Sequence, residues 1–277
     1  MTLPRPLQVL RDAGAIFVVG LFIFPLFWWA LTSVKPLDAL YDKDQVVIFD
    51  FVPTLANYAV TLFGAGPAFF DSRQTIIDSL TVALGATAVT LAFALPTGFA
   101  LSQIAFQHRR AVFLWVIFQR IMPPIAIILP LVFIYQSIGM NDTRIGVIMA
   151  HAAVNLPFAI LLLKSFFDDV PREVGEAAMI DGATRFQIFA RIFTPMIKGG
   201  IAATAVLCFI FSWTEFLMAL FLTSTIRLIP VQSSLVVTST WGFTAALSTA
   251  ALFPSIVFIF LVQKHLVRGL TMGLQKG

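Results

Sequence analysis

Long uncharged stretches of apolar residues constrain the fold of this chain more than any other feature. Residues 13–34 and residues 79–107 contain no charged side chain. An α-helix rises 1.5 Å per residue, so roughly 20 such residues cross a hydrocarbon core about 30 Å thick. Of the 277 residues, 12% are charged, whereas about 25% are charged in typical soluble domains. The sequence therefore predicts an all-α membrane protein.

Six transmembrane helices are expected. Their bounds are about 13–34, within 79–107, 112–138, 145–165, 199–224 and 244–263. Residues 228–240 are not counted, because Pro230 and the Gln, Ser and Thr content favour an outer loop or a re-entrant segment. The first run is longer than the core of a typical signal peptide and no clear A-x-A cleavage site follows it, so we expect a retained span.

The distribution of Lys and Arg predicts the orientation of these helices. In the six-helix topology, twelve of the 18 positive residues fall on one side, five fall on the other and Arg120 lies in the membrane. Positive residues favour the cytoplasmic side, so both termini and the loop at about 167–198 are expected to be cytoplasmic. The loop at about 35–77 is then periplasmic. The positive residues form no basic face, so nucleic acid is not an expected partner.

The first half of the 167–198 loop reads as a short helix. Asp169 can cap it, with Pro171 in its first turn, and Gly182 suits a left-handed C-terminal stop. Ala177 and Ala178 give this helix a slim side that fits a groove on another protein. The alternative is an amphipathic hairpin that rests on the membrane or closes the helix bundle.

The second half of the loop is predicted to start a new helix at once. Thr184 and Gln187 have the spacing of a capping box. Pro195 marks the end of this helix, before the fifth span. Three aromatic residues at spacings of three and four share one helix face: Phe186, Phe189 and Phe193.

This loop resembles a known motif. The tripeptide 176-EAA-178, then Gly182 after three residues, then 192-IFTP-195 after nine more, resembles the EAA loop of permease subunits in binding-protein-dependent ABC importers. Thr194 stands where that motif usually has leucine. The departure lies at the end of the loop and leaves the rest of the pattern intact.

Other segments extend the resemblance over nearly the whole chain. The segments 141-NDTRIGVI-148 and 153-AVNLPFAILLLKSFFDDVPRE-173 are similar to the loop before the fourth span and to the approach to the EAA loop. The segment 209-FIFSWTEFLMAL-220 resembles the fifth span, although asparagine is more usual at Thr214. The tail 261-LVQKHLVRGLTMGLQKG-277 is similar to the signature of the carbohydrate subgroup, the maltose-type second permease.

The resemblance implies a function. It implies one transmembrane permease domain over residues 1–277, with the ABC importer permease fold, in a bacterial cytoplasmic membrane. Its partners would be a second homologous permease, a dimer of ATPase subunits and an extracytoplasmic solute-binding protein. The cargo would be a sugar, oligosaccharide or polyol. The first loop helix would be the coupling helix, whose ATPase-coupling residues are Glu176, Ala177, Ala178, Asp181 and Gly182.

Catalytic and metal-binding motifs are lacking in the sequence. It contains no G-x-x-x-x-G-K-[ST], no H-E-x-x-H and no G-x-S-x-G pattern, so we expect no catalytic site and no metal site. The single cysteine, Cys208, lies in an apolar run and is expected to be buried. No cofactor is expected on this chain; ATP and Mg²⁺ would bind to the partner ATPase subunits.

Polar residues inside the spans are candidates for a translocation path, since such groups usually face a cavity or a partner. Depth estimated along straight helices puts Arg120 and Asn155 near the middle of the membrane, and His151 and Glu215 in its outer half. The candidate path residues are Arg120, Asn155 and Glu215. Interhelical hydrogen bonds and ion pairs that hold the bundle together are the alternative. Prolines within the spans are expected to bend helices around a cavity.

Two other classes of membrane protein compete with this interpretation. A secondary transporter driven by an ion gradient would need no docking helix, and would more often show interrupted half-helices in an internal repeat. No such repeat is evident in the sequence. A purely structural membrane protein would leave the EAA-like loop unexplained.

Overall fold

The structure is a computed structural model that describes residues 4–41, 47–64, 72–235 and 241–272. Within these ranges the regular secondary structure is helical. The chain divides into two compact units. The first comprises Met1–Gln74 and Gln232–Phe253, and the second comprises Thr75–Val231 and Pro254–Gly277.

Four helices of the described chain are long and apolar enough to cross a membrane: Pro6–Ser33, Arg73–Gln103, Arg144–Asp168 and Trp241–Phe260. Two further apolar segments consist of helix pairs with a sharp bend. Arg109–Ile121 and Pro124–Ser137 meet at 95°, and Arg185–Met196 and Lys198–Trp213 meet at 79°. The number of candidate spans is therefore four, or up to six if each bent pair is one span.

The first unit contains the helices α1 (Arg5–Ser33), α2 (Leu37–Leu40) and α3 (Ala56–Phe63), and the beginning of the last helix. The most apolar stretch of α1 is not buried within the described chain. Such exposure is typical of a helix surface that is covered by lipid or by a partner. The predicted outer loop at 35–77 holds α2 and α3, and its residues 42–46 and 65–71 lie outside the described residues.

A buried asparagine anchors the chain after α1. The Asn57 amide donates hydrogen bonds to the carbonyl oxygens of Ser33, at 2.9 Å, and Lys35, at 2.8 Å. The rings of Trp29 and Trp241 lie 6.3 Å apart, so these tryptophans pack on each other within the unit.

The second unit is built around one central helix. It contains α4 (Arg73–Gln103), α5 (Arg109–Ile121), α6 (Pro124–Ser137), α7 (Arg144–Asp168), α8 (Arg172–Ile180), α9 (Arg185–Gln187), a π-helical segment (Ile188–Phe193), α10 (Thr194–Met196), α11 (Lys198–Trp213), α12 (Leu217–Leu222), α13 (Ile229–Leu235) and α14 (Trp241–Met272), the last two of which also reach into the first unit. Helices α5, α11 and α12 pack on α7. Leu163 and Phe167, near the C-terminal end of α7, are fully buried in the core.

The predicted third span, 112–138, is not one continuous helix. Proline disfavours helical backbone in the residue before it, and Met122 accordingly has a ψ of 125°. Pro124 then lies at the start of α6, where its missing N–H is not needed. These two constraints give the 95° bend between α5 and α6, in agreement with the expectation that prolines within the spans bend helices.

The predicted fifth span, 199–224, is also interrupted. Helix α11 ends at Trp213, and α12 begins at Leu217. Glu215 therefore lies in a break and not within a helix. Residues 228–240, expected to be an outer loop or a re-entrant segment, contain the short helix α13, while residues 236–240 lie outside the described residues.

Candidate functional site

The loop predicted to carry function forms a helical hairpin, and its turn has the expected glycine stop. Gly182 has a φ of +84°, in the left-handed region. Its N–H donates to the carbonyl of Met179 at 3.1 Å, and the Ala183 N–H donates to that of Ala178 at 2.9 Å. This pair of bonds defines a Schellman motif, which satisfies carbonyls at the end of α8.

The predicted start of α8 was wrong. Asp169 is the C-terminal cap of α7, and its N–H donates a hydrogen bond to the carbonyl of Ser165 at 3.3 Å. It does not cap α8. Helix α8 begins at Arg172, and Pro171 occupies the cap position. Because α7 extends to Asp168, only a short connection remains, and proline imposes the break between the two helices. Glu173 lies in the first turn of α8, where the helix dipole favours negative charge.

The capping box of the second hairpin helix is confirmed. The Gln187 N–H donates to Thr184 Oγ1 at 3.3 Å, and the Thr184 N–H donates to Gln187 Oε1 at 2.8 Å. The backbone then widens into the π-helical segment. Its end is stabilised by Thr194, whose hydroxyl donates to the carbonyl of Phe189 at 2.7 Å. Thr194, the departure from the usual leucine, thus has a local role.

Aromatic packing fixes the hairpin to the rest of the second unit. The ring of Phe99, on α4, lies 5.2 Å from that of Phe189, 5.4 Å from that of Phe193 and 5.6 Å from that of Phe167. A Cβ on Gly175 would lie only 3.3 Å from the ring of Phe193, so α8 packs closely on the π-helical segment. The inner side of the hairpin is therefore held against α4 and α7.

The predicted coupling residues divide between the two sides of the hairpin. Glu176, Ala177, Asp181 and Gly182 are exposed, whereas Ala178 is 9% exposed and belongs to the buried core. The slim side expected from the two alanines is thus split, with one facing outward and one inward. The exposed side also presents Met179 and Ile180, which the sequence reasoning did not single out, and Phe186, whereas Phe193, predicted to lie on the same helix face as Phe186, is buried.

A cavity of about 370 Å³ lies beside the bend between α5 and α6. Most of the residues that line it are apolar or aromatic. Gln119, Arg120 and Tyr135 contribute polar groups to the lining. The Arg120 guanidinium lies 5.5 Å from the ring centroid of Phe158 and 5.9 Å from that of Phe211. Prolines border the cavity, in agreement with the expectation that they bend helices around a space.

Of the three candidate path residues, only Arg120 lines this cavity. Asn155 is 5% exposed, and its amide lies 3.3 Å from the carbonyl of Cys208 on α11. Asn155 therefore joins α7 to α11, and no contact between Asn155 and Arg120 is seen in the described part of the chain. Cys208 is fully buried, as expected.

Glu215 forms a separate polar cluster with His151. His151 Nε2 lies 3.3 Å from Glu215 Oε2, and His151 Nδ1 lies 2.7 Å from the Ser212 hydroxyl. Glu215 and His151 are predicted to lie at a similar depth along their helices, and this contact confirms that they lie close together. The same carboxylate accepts the N–H groups of Met218, at 2.9 Å, and Ala219, at 3.3 Å, at the start of α12.

A further polar cluster was missed by the sequence analysis. Asp142, at a φ of 54°, accepts hydrogen bonds from the hydroxyls and backbone N–H groups of Ser224 and Thr225, and from the Ile226 N–H. Burial alone would raise the pKa of this carboxyl, but these bonds outweigh it and hold the pKa well below its usual range. The carboxylate thus joins the α6–α7 turn to the segment after α12.

No metal-binding group of three or more acids, histidines or cysteines occurs in the described ranges.

Comparison with known proteins agrees with these features. The chain is 33% identical over 257 residues to a probable ABC transporter permease protein of Sinorhizobium fredii, covering 91% of this chain and 90% of the relative. It is 30% identical to a sulfoquinovosyl glycerol transport system permease protein of Agrobacterium fabrum, with 99% and 94% covered. It is 32% identical to a trehalose transport system permease protein of Mycobacterium tuberculosis, with 94% of each covered.

The fold is also that of a solved permease. A chain from the crystal structure of a bacterial ABC transporter involved in the import of alginate matches with a TM-score of 0.75 and 20% identity, covering 95% of this chain and 99% of that one. Residues 94–272, more than half of the chain, match a family described as the binding-protein-dependent transport system inner membrane component. The chain therefore belongs to the family of inner membrane components of binding-protein-dependent transport systems.

Proposed function

We propose that this chain is one of two permease subunits of an ATP-driven importer for a sugar, oligosaccharide or polyol. Family membership supports a transport permease, and members of this family are not catalytic. Named relatives of the trehalose and sulfoquinovosyl glycerol systems support a saccharide as cargo. An ion-gradient-driven transporter is disfavoured, because it leaves both the family match and the loop without a role.

The proposed topology has six spans, counting each bent helix pair as one, with both termini in the cytoplasm. The excess of Lys and Arg on one side supports this orientation. The hairpin then faces the cytoplasm, and the chain lies in a bacterial cytoplasmic membrane. A solute-binding protein would dock on the opposite side.

The shape of the hairpin carries the proposal. Its inner side is packed on Phe99 and Phe167, while Glu176, Ala177, Asp181 and Gly182 are exposed on its outer side. Close-packed side chains transmit strain, so a push on the outer side would move α4 and α7 together with the hairpin. We infer that α8 docks on a cytoplasmic ATPase, which belongs to a dimer that binds ATP and Mg²⁺. Ala178 acts by holding α8 in place and not by touching the partner.

The Arg120 cavity is the proposed contribution of this chain to the pore. It is lined by α5, α6 and α7. Arg120 is exposed on the surface of this chain, so a second, homologous permease would enclose the path from the other side. The buried Asn155 and the Glu215–His151 pair act by holding the helices that shape the cavity.

Cross-linking tests the docking. In a chain whose native Cys208 is replaced by alanine, Ala177→Cys should form a disulfide with a cysteine placed in the ATPase, and ATP-dependent uptake should stop until reductant is added. Ala178→Cys, the adjacent but buried position, is the matched control and should form none. Equal cross-linking at both positions, or labelling of Ala177→Cys by an impermeant thiol reagent added from outside, would contradict the proposed coupling.

A further inference from the structure

The Arg120 cavity contains three polar side chains without a hydrogen-bond partner. Gln119, Arg120 and Tyr135 line it, and none of these side chains hydrogen-bonds to another described residue. As a whole residue Tyr135 is buried, whereas Gln119 is half-buried and Arg120 is exposed on this chain. In the proposed transporter the second permease would cover this side of the cavity, and polar groups enclosed in this way are normally paired with a partner, a ligand or water.

Arg120 in particular forms no ion pair with another residue of the described ranges. Two carboxylates of the second unit are engaged elsewhere, Asp78 with Arg144 at 2.7 Å and Glu215 with His151 at 3.3 Å. The rings of Phe158 and Phe211 face the guanidinium, but a ring face satisfies none of its five N–H donors along their own directions. A guanidinium forms its strongest bonds with planar or tetrahedral oxyanions, which it can bind with two parallel hydrogen bonds.

The remainder of the cavity suits a sugar ring. Its volume of about 370 Å³ lies within the range of about 300–1,000 Å³ that is typical of small-molecule sites. Trp115 and Leu131 offer apolar surface for the C–H face of the ring, and Gln119 and the Tyr135 hydroxyl can pair with ring hydroxyls. One positive group among neutral ones favours a ligand with a single acidic group.

We propose that this cavity takes an acidic saccharide, one that carries a carboxylate or a sulfonate, and that Arg120 pairs with the acidic group during passage. The proposal rests on the proposed function and narrows its cargo. Arg120 is exposed on one side of the cavity, which keeps the ion pair partly hydrated and therefore releasable.

Binding can be measured without the solute-binding protein, because Trp115 reports from the cavity wall. The complete assembly of permeases and ATPases in lipid nanodiscs is titrated with three probes: a glucuronate-containing disaccharide, the neutral disaccharide of the same linkage and a sulfonated sugar. The signal is the tryptophan fluorescence change that disappears in Trp115→Phe. Both acidic probes should half-saturate at a concentration about tenfold lower than the neutral one, the size expected for one charge-assisted hydrogen-bonded pair.

Substitutions at Arg120 test whether the guanidinium causes the preference for acidic probes. Arg120→Gln should remove the preference for acidic probes, and Arg120→Lys should retain part of it. Arg110→Gln, which removes a positive charge from the same helix outside the cavity, should leave it unchanged. Equal half-saturation by acidic and neutral probes, or a preference that persists in Arg120→Gln, would overturn the proposal. Loss of the second permease from purified Arg120→Gln assemblies would also overturn it, because the guanidinium would then pair with a carboxylate of that subunit.

Uptake into proteoliposomes that also contain the solute-binding protein separates this proposal from the proposed function. ATP-dependent uptake of neutral saccharides alone would overturn the acidic-saccharide proposal and leave the importer intact. Absence of ATP-dependent uptake of any saccharide by the assembled transporter would overturn the proposed function itself.

Discussion

His151 Nε2 lies 3.3 Å from Glu215 Oε2, and this contact joins the central helix α7 to the break between α11 and α12. The His151 side chain is fully buried, and that of Glu215 is 20% exposed. Since the same carboxylate accepts the N–H groups of Met218 and Ala219, one functional group contacts both α7 and α12. The pair is best explained as a structural element beside the path.

Removing either partner of this pair should destabilise the second unit. Glu215→Ala removes the carboxylate that lies beside the imidazole and leaves two N–H groups without their acceptor, at a cost of about 2 kcal/mol, whereas Glu215→Gln keeps one oxygen and should cost less. In a double-mutant cycle with His151→Ala, the two losses should overlap by about 0.5–3 kcal/mol. Denaturant titration of the detergent-solubilised protein measures these differences. Strictly additive losses would show that the contact contributes nothing.

The two interrupted spans show what sequence reasoning could reach. The bend after Ile121 was foreseeable, because Pro123 and Pro124 impose backbone angles on themselves and on Met122. The break at Glu215 has no proline or glycine to announce it. It is stabilised by side chains from a distant helix, and such tertiary contacts are not encoded in local propensity. The sequence therefore predicts a continuous apolar helix at 199–224, where the structure has a break between α11 and α12.

A close contact between α7 and α11 makes Gly200 sensitive to any side chain. A Cβ at this position would lie 2.4 Å from the ring of Phe166. Gly200→Ala should destabilise the protein by about 1–3 kcal/mol, because the ring or the helix must move, although alanine recovers up to about 1 kcal/mol of helix propensity. Unfolding of the solubilised variant tests this expectation.

The control for this prediction is Gly20→Ala in α1, where no atom lies within 4 Å of the added Cβ. That change should be neutral or slightly stabilising. Combining Gly200→Ala with Phe166→Leu should restore part of the lost stability. If Gly200→Ala and Gly20→Ala behave alike, the packing of α11 on α7 is looser than the distance of 2.4 Å implies.

The hairpin shows the same division between local and tertiary information. Gly182 and Thr184 follow rules that involve only neighbouring backbone groups, and both predictions were confirmed. Asp169 also fits the rule for a cap, but α7 extends further than expected and takes it as its own C-terminal residue. Which of the two alanines at 177 and 178 faces outward depends on where Phe193 and Phe99 lie, and a single sequence does not contain that information.

Asp142 should make the stability of the fold depend on pH in the acid range. Its folded-state pKa is lowered, so its carboxylate stabilises the fold fully above the unfolded value of about 3.9, and this contribution is lost as the pH falls below that value. The difference in melting temperature between the wild type and Asp142→Asn should be largest near pH 7 and should shrink below about pH 4. Asp50→Asn, at an exposed residue, is the control. A difference that does not change between pH 7 and pH 3 would contradict this role.

Gly182 provides the sharpest test of the hairpin turn. Its φ of +84° is strained for residues with a Cβ, yet no atom lies within 4 Å of an added Cβ, so the penalty comes from the backbone and not from a clash. Left-handed backbone costs most residues about 1–2 kcal/mol, and a β-branched side chain suffers more, whereas asparagine tolerates it. Gly182→Val should therefore distort the Schellman turn, and Gly182→Asn should preserve it.

ATP-dependent uptake should follow the same order as the backbone preference. Gly182→Val should insert into the membrane and assemble but lose most uptake, because the outer side of α8 no longer meets the ATPase in register. Gly182→Asn should retain most of it, although asparagine is a larger residue than glycine. Uptake is measured against the amount of assembled transporter in the membrane. If both variants lose uptake equally, glycine is required because the partner comes too close for any side chain, and not because of the backbone conformation. If both variants retain uptake, the turn is not part of the coupling.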